Sequence, residues 1–390
     1  MALQTLNPAA DVQDVLAALA QARERTLALV AHLSDAQLEN AYSPIMSPLV
    51  WDLAHIAAYE DLWLAQRLCG LELLRPDLAE LYDAFETPRA LRSEIEILGH
   101  ADARAYMDEV RERVAQALSG HGVGDGVVCE MVVRHELQHT ETMRQAMAIA
   151  CLLPDGEPPL NAMTGRNGWV EIPRGSFLMG AGQEGFAYDN ERPRHAVALE
   201  AFAIARRPVS NGAWLEFFAD GGYDERRWWS QQGWEWRTDN DATPHPAIAA
   251  GDPRAAACHV CFFEAEAFAR AHGARLPAEA EWERAARGVG GDAGSQGRAD
   301  AAVGPDGAAG ALEATGQVWE WTRSAFGGYP GFRAHPYREY SEVFFGDGYR
   351  VLRGGSWATS PRVATVTFRN WDLPQRRQIF AGVRLARDLT

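Results

Sequence analysis

The amino-acid pattern changes character at Leu153-Pro154-Asp155-Gly156-Glu157-Pro158-Pro159, and a chain with such a break does not build one continuous core. Upstream, apolar residues recur at helical spacing: Val12, Val15, Leu16, Leu19, Leu27, Val30 and Leu33 mark a first helix. A second runs from about Ser47, where Ser-Pro is a start signal, to Leu68. Tyr106, Val110, Val114 and Leu118 mark a third, and Val128, Met131, Val132, Met143, Ala146 and Ile149 a fourth. Four amphipathic helices of this length predict a four-helix bundle. Downstream, glycine and tryptophan become frequent and strand-like runs are short (Ala196–Leu199, Val351–Arg353). Only Ser210–Phe218 and Phe263–His272 read as helices there, with a further turn at Ala278–Arg287, and Gly288–Ala314 reads as surface loop. The expectation is a helical domain over 1–153, a linker over 154–165, and an irregular α+β domain over 166–390.

Composition narrows the function. The 390 residues suffice for two cores, and 47% apolar with 23% charged residues is the balance of a globular protein. A formal charge of -16 argues against nucleic acid or an anionic membrane as partner. Every basic residue is arginine, which excludes a Schiff-base lysine and a P-loop lysine. Five scattered cysteines fit a reducing compartment; Cys258-His259-Val260-Cys261 has half of a zinc spacing, and no second pair completes it. The opening MALQTLNPAADVQD has no charged segment ahead of an apolar core, and no apolar run reaches the roughly 18 residues of a membrane span. A cytoplasmic protein is expected.

The sharpest chemical signal is in the fourth helix. His135 and His139 are four apart and share a face. That face reads as the apolar stripe itself, with Val128, Met131, Val132, Gln138, Thr142, Met143 and Ala146. His55 occupies the corresponding place on the second helix, on a stripe with Trp51, Ala58 and Leu62. Polar groups on a core stripe need partners, and facing helices of a bundle are a known way to assemble a metal site. Three satisfied core histidines are the plainer alternative. His135-Glu136-Leu137-Gln138-His139 also matches H-E-x-x-H, in which zinc proteases find two ligands and a general base. No third ligand follows at the usual distance, and Glu141 stands about 200° round the helix from His139.

At this point the residues resemble a known family. Met46-Ser47-Pro48-Leu49-Val50-Trp51-Asp52-Leu53-Ala54-His55 and His135 to Met143 resemble the DinB-like bundle of the ergothioneine-type sulfoxide synthases. The second half is similar to their C-type-lectin-like domain of the formylglycine-generating-enzyme (sulfatase-modifying) type. The likeness rests on Pro173 to Gly180, Asn190 to Pro193, Arg275 to Glu283, Gly316 to Thr322, Leu352 to Trp357 and Phe380 to Arg384. It runs in one order along nearly the whole chain. It implies a DinB-like four-helix bundle followed by that domain, an α plus α+β protein.

The resemblance further implies that His55, His135 and His139 hold a non-haem Fe(II), leaving positions open for a thiolate or selenolate and for O2. Gln138 would hold the substrate imidazole. In His335-Pro336-Tyr337-Arg338-Glu339-Tyr340-Ser341, Tyr337 would be the catalytic proton donor and Tyr340 would line the pocket. In Phe368-Arg369-Asn370-Trp371-Asp372, Trp371 would face the trimethylammonium of the betaine hercynine and Asp372 would add opposite charge. Arg89 and Arg92 match a pair that binds the carboxylates of γ-glutamylcysteine.

The chain also departs from the pattern. Trp357-Ala358-Thr359-Ser360-Pro361-Arg362 has no cysteine, which argues against copper-dependent formylglycine generation. The stretches from Trp236 to Cys258 and from Gly288 to Gly316 are shortened or altered, and Gln317 replaces an asparagine, which bears on a structural calcium site. Such changes suit a diverged branch, and the selenoneine synthases, which take a selenosugar donor, are one. A zinc-dependent thiol transferase and a silent betaine-binding module are the competing readings.

Overall fold

The computed structural model describes residues 11–158, 160–288 and 307–389. These form two compact units, one running to Glu157 and including Glu184–Phe186, the other beginning at Pro158. In the first unit the long helices are α1 (Val12–Val30), α3 (Leu49–Glu60), α4 (His100–His121) and α5 (Val127–Ala150), with a short α2 (Asp35–Glu39). α1 starts in a capping box between Asp11 and Asp14, whose side chains satisfy each other's backbone N–H. The single helix expected from Ser47 to Leu68 is α-helical only to Glu60 and continues as a π-helix over Asp61–Leu68. Among the described residues, no helix is long and apolar enough to cross a membrane.

The core of this unit includes Met131, Val132, Met143 and Ala146 of the expected face of α5 and extends beyond it. A further buried stripe carries Cys129, Val133, Glu136, Leu137, Thr140 and Met147. Val128 and Thr142 are only half-buried, and Ile149 is exposed. The added width has a physical cause: this further stripe is partly polar. Glu136 accepts from Arg23 Nε at 2.9 Å and from Thr26 Oγ1 at 2.8 Å, both on α1. Arg23 reaches on to Glu60, which Arg111 of α4 binds with both nitrogens at 2.6 and 2.8 Å. One ionic cluster thus joins all four long helices, and a pattern of apolar residues does not register it. Burial alone would raise the Glu60 carboxyl, but Arg111 and Arg23 outweigh it and hold it below the usual carboxylate range.

The second unit contains α6 (Asn211–Ala219), α7 (Gln231–Asp239), α8 (Pro246–Ala250), α9 (Phe262–Ala271) and α10 (Glu279–Arg287). Its strands are β1 (Trp169–Ile172), β2 (Gly175–Met179), β3 (His195–Leu199), β4 (Phe202–Ala205), β5 (Gly307–Ala309), β6 (Leu312–Thr315), β7 (Trp319–Phe326), β8 (Gly346–Arg353), β9 (Asn370–Asp372), β10 (Ala381–Gly382) and β11 (Ala386–Asp388). They form an antiparallel sheet β1-β4-β11, a mixed sheet β10-β7-β8-β9 and the hairpins β2-β3 and β5-β6. α7 and α8 are helices beyond those the periodicity predicts. α7 is mostly exposed, and its Gly233 packs where a Cβ would stand 3.2 Å from that of Phe263. The β5-β6 hairpin replaces the end of the loop expected over Gly288–Ala314; residues 289–306 of that stretch lie outside the described residues.

The motifs that stood out in the second half share one structural purpose. Glu320 of β7 takes Trp282 Nε1 at 2.6 Å and a bidentate Arg384 at 2.6 Å. Arg353 binds Glu283 at 2.6 Å, and Arg369 forks onto Glu279 at 2.9 and 3.0 Å. Glu283, Glu320, Arg353 and Arg384 have no exposed surface. Gly355, at φ 75°, turns the chain where a Cβ would meet that of Ala364 at 2.7 Å. Beside it Thr359 Oγ1 accepts from the Ser356 backbone at 2.8 Å. Gln317 is buried, and its Oε1 has no hydrogen-bond partner.

Candidate metal centre

α3 and α5 bring His55, His135 and His139 together. Ring centroids of His55 lie 4.9 Å from His135 and 4.6 Å from His139, and the latter two are 4.5 Å apart. One ring nitrogen of each lies within 4.8 Å of the others, and among the described residues this is the one group of three or more His, Cys, Asp or Glu side chains so placed. His55 is buried, while His135 and His139 are half-buried on the face that borders the further buried stripe of α5. Cys258, His259 and Cys261 do not assemble such a group. Cys258 and Cys261 are buried, and His259 Nδ1 donates to the Arg377 carbonyl at 3.0 Å.

Each ring is held by a different device. His55 Nδ1 donates to the Tyr82 carbonyl at 2.6 Å, and its face stacks on Trp51 at 4.8 Å. A carbonyl can only accept, so the His55 proton sits on Nδ1 and Nε2 keeps its lone pair. His139 Nδ1 donates to Asp52 Oδ1 at 2.9 Å, with the same result for its Nε2. His135 stacks flat on Tyr59, with centroids 3.6 Å apart and 9° between planes. Its Nε2 lies 3.2 Å from that of His55. Burial, then the neighbouring His139, pushes the pKa of both His55 and His135 well below the ordinary histidine value. Two neutral imidazoles with nitrogens facing at 3.2 Å, and a third beside them, match the donor chemistry of a divalent transition ion. The residues fit iron.

The H-E-x-x-H match does not carry protease chemistry here. A general base must reach a metal-bound water, yet Glu136 is 1% exposed and its carboxylate is taken by Arg23, Thr26 and Arg111. One residue along a helix is about 100° of turn, which points Glu136 away from His135.

The remaining predicted residues fall in three places. Gln138 is half-buried and lies between the two α5 histidines in sequence, and its backbone carbonyl accepts from Thr142 Oγ1. Arg89 and Arg92 belong to the segment after Tyr82, and the charges of both oppose protonation of His55. They differ in availability. Arg89 is exposed, whereas Arg92 is buried and donates to Thr87 O, Ser47 Oγ and Ala84 O at 2.8, 2.7 and 3.2 Å. Its guanidinium lies 3.4 Å from the Trp51 ring centroid, so Arg92 braces the indole that backs His55.

Tyr337, Tyr340, Trp371 and Asp372 gather within the second unit. Tyr340 stacks on Tyr188 at 4.3 Å and meets Tyr337 and Trp371 edge-on at 6.2 and 5.9 Å. Trp371 stacks on Phe326 at 4.2 Å. Asp372 accepts from the Leu373 N–H and from Gln378 Nε2 at 2.7 and 3.1 Å. The Tyr337 segment is pinned at both ends by buried Asp189, which accepts from the His335 N–H and from Ser341 Oγ.

Asp52, Tyr59 and Tyr82, which hold the three rings, are the site neighbours that periodicity missed. Only Asp52 left a signal, as a carboxylate inside the apolar run from Val50 to Ile56.

Comparison with known proteins covers the whole of this architecture. Residues 18–143 match the DinB superfamily, and residues 156–309 and 302–389 match the sulfatase-modifying factor enzyme 1-like domain. The hercynine oxygenase of Mycolicibacterium smegmatis is 43% identical over 429 aligned positions, covering 95% of this chain and 98% of that protein. The hercynine oxygenase of Mycobacterium tuberculosis is 44% identical over 426, with the same coverage. The formylglycine-generating enzyme of Mycobacterium tuberculosis is 31% identical over 236 positions, covering 43% of this chain and 76% of that protein.

Proposed function

Because the chain belongs to the family of the hercynine oxygenases, the ergothioneine-type sulfoxide synthases, we propose that it is a non-haem Fe(II)- and O2-dependent enzyme joining a chalcogen to imidazole C2 of hercynine. The observation that carries this reading is the convergence of three imidazoles, two with fixed Nε2 lone pairs, on one point of the bundle. Fe(II) held there supplies the one-electron chemistry through which O2 reacts with a closed-shell substrate, and three protein ligands leave positions open on it. The protein's own groups bind and move protons. Gln138 offers an amide to the substrate imidazole. Trp371 presents an aromatic face to a trimethylammonium group, and Asp372 adds a carboxylate beside it. Tyr337 gives up a phenolic proton during turnover.

The donor we favour is a selenosugar, with γ-glutamylcysteine as the second reading. The condition of Arg92 supports that order: it is buried and three of its five N–H groups already serve protein acceptors, so it has less to offer a donor carboxylate than a free guanidinium has. The test is to offer anaerobically iron-loaded enzyme hercynine and then admit O2 with either donor. The selenosugar should be coupled with the higher kcat/KM, with a thiosugar separating recognition from the greater acidity and softness of selenium. A preference for γ-glutamylcysteine would overturn the selenosugar reading and leave an ergothioneine-type enzyme. If neither donor is coupled, the chalcogen chemistry is rejected.

Tyr337→Phe keeps the ring and removes the proton. Turnover should fall by roughly 10²–10⁴-fold, the usual worth of a positioned general acid, with hercynine binding retained. Wild-type turnover and product distribution in that variant would reduce Tyr337 to packing.

A further inference from the structure

Asp52 sits on α3 at 1% exposure, three residues before His55. Its Oδ1 takes the Nδ1 proton of His139, 87 positions away in sequence. Its Oδ2 is shielded from solvent and has no hydrogen-bond partner. A carboxylate with an idle oxygen in a helical core is costly unless positive charge stands near it. Part of that charge is Arg92: burial lowers its guanidinium to about 10, and the Asp52 carboxylate works against that shift. All three hydrogen bonds from the Arg92 fork, however, go to other acceptors. A cation held by the three histidines would supply more of it.

The three ligands are therefore not equivalent. His55 leans on a neutral carbonyl, His135 on the flat face of a tyrosine, and His139 on a carboxylate. Resting on the reading that this triad holds iron, we infer that Asp52 is a positioning residue that fixes His139 as the strongest donor of the three and places a compensating negative charge beside the metal. An imidazole whose N–H is bound by a carboxylate is a more basic ligand than one bound by a carbonyl, and such outer partners are worth 10–100-fold in metal affinity. The charge also favours the higher oxidation state of the ion.

Asp52→Asn separates the parts of this role, since the amide oxygen can still accept from Nδ1 while the charge is gone. In anaerobic chelator-competition titrations with Co(II) as the probe, the variant should bind about 10–100-fold more weakly than wild type. The Fe(III)/Fe(II) potential of the iron-loaded variant should rise. A merely structural Asp52 would lower the melting temperature of the metal-free protein and leave the Co(II) affinity of the folded fraction at the wild-type value, which would overturn the inference. A second measurement needs no variant: nitrogen-resolved NMR of the Zn(II)-loaded wild-type protein should show the His139 proton on Nδ1. A proton on Nε2 would overturn the inference as well. Failure of the metal reading itself looks different, since wild-type protein would then bind Co(II) no better than His139→Ala.

Discussion

His139→Ala should leave the protein folded and nearly free of iron. The substitution removes one of three converging nitrogens and, with it, the acceptor-matched partner of Asp52. Affinity should fall by more than the ~10–100-fold that loss of an outer partner costs, because a coordinate bond is lost as well. Metal analysis of protein purified without oxygen is the measurement, with exposed His121 as the control site. One iron per chain should drop toward none in His139→Ala and stay unchanged in His121→Ala. Undiminished iron in the first variant would end the three-histidine assignment, and turnover measured in parallel should vanish with the metal.

Glu60→Ala should be the most destabilising of the single changes considered. Glu60 is fully buried and is the common acceptor of Arg23 and Arg111. Truncation leaves buried Arg23 and half-buried Arg111 with only Glu136 between them, and breaking a buried pair costs about 3–5 kcal/mol. For a unit of this size that lowers Tm by roughly 6–20 °C. Glu60→Gln, which keeps acceptor shape without charge, should fall between. The pH dependence has a definite sign. The folded-state carboxyl is held below its unfolded value, so its contribution is complete above the ordinary carboxylate range and is lost as pH falls through the depressed value. Thermal melts at neutral pH check the first statement, and denaturant titrations into acid check the second. A change within the roughly ±0.5 kcal/mol of surface substitutions would show that the cluster contributes little.

The parts that were legible in the sequence have short-range causes. Four helices show because an amphipathic period repeats over many turns, and the α5 histidines show because four residues are about one turn. What was hidden lies elsewhere. Arg23, Glu60, Arg111 and Glu136 carry no local signal of pairing, because their partners stand up to 113 residues away. The buried face of α5 is wider than its apolar pattern for that reason. The Tyr82 acceptor is a backbone carbonyl, so no choice of side chain announces it. Arg92 matched a ligand-binding pair in sequence and stands in the structure as the brace of Trp51. In the second unit the motifs were visible as words, and their meaning, a buried lattice of carboxylates and guanidiniums around Trp282, needed the tertiary pairing.

Glu136 lies between the two α5 ligands in sequence and to one side of them in space. Gripped from α1 by Arg23 and Thr26, it keys the helix against rolling about its axis. A helix so keyed keeps His135 and His139 turned toward His55. At such a site the speed of metal exchange would be governed by how fast the ion sheds water and how freely it approaches the half-buried His135 and His139. Discrimination among divalent ions follows from fixed spacing and the softness of imidazole, as in a rigid socket rather than a closing clamp.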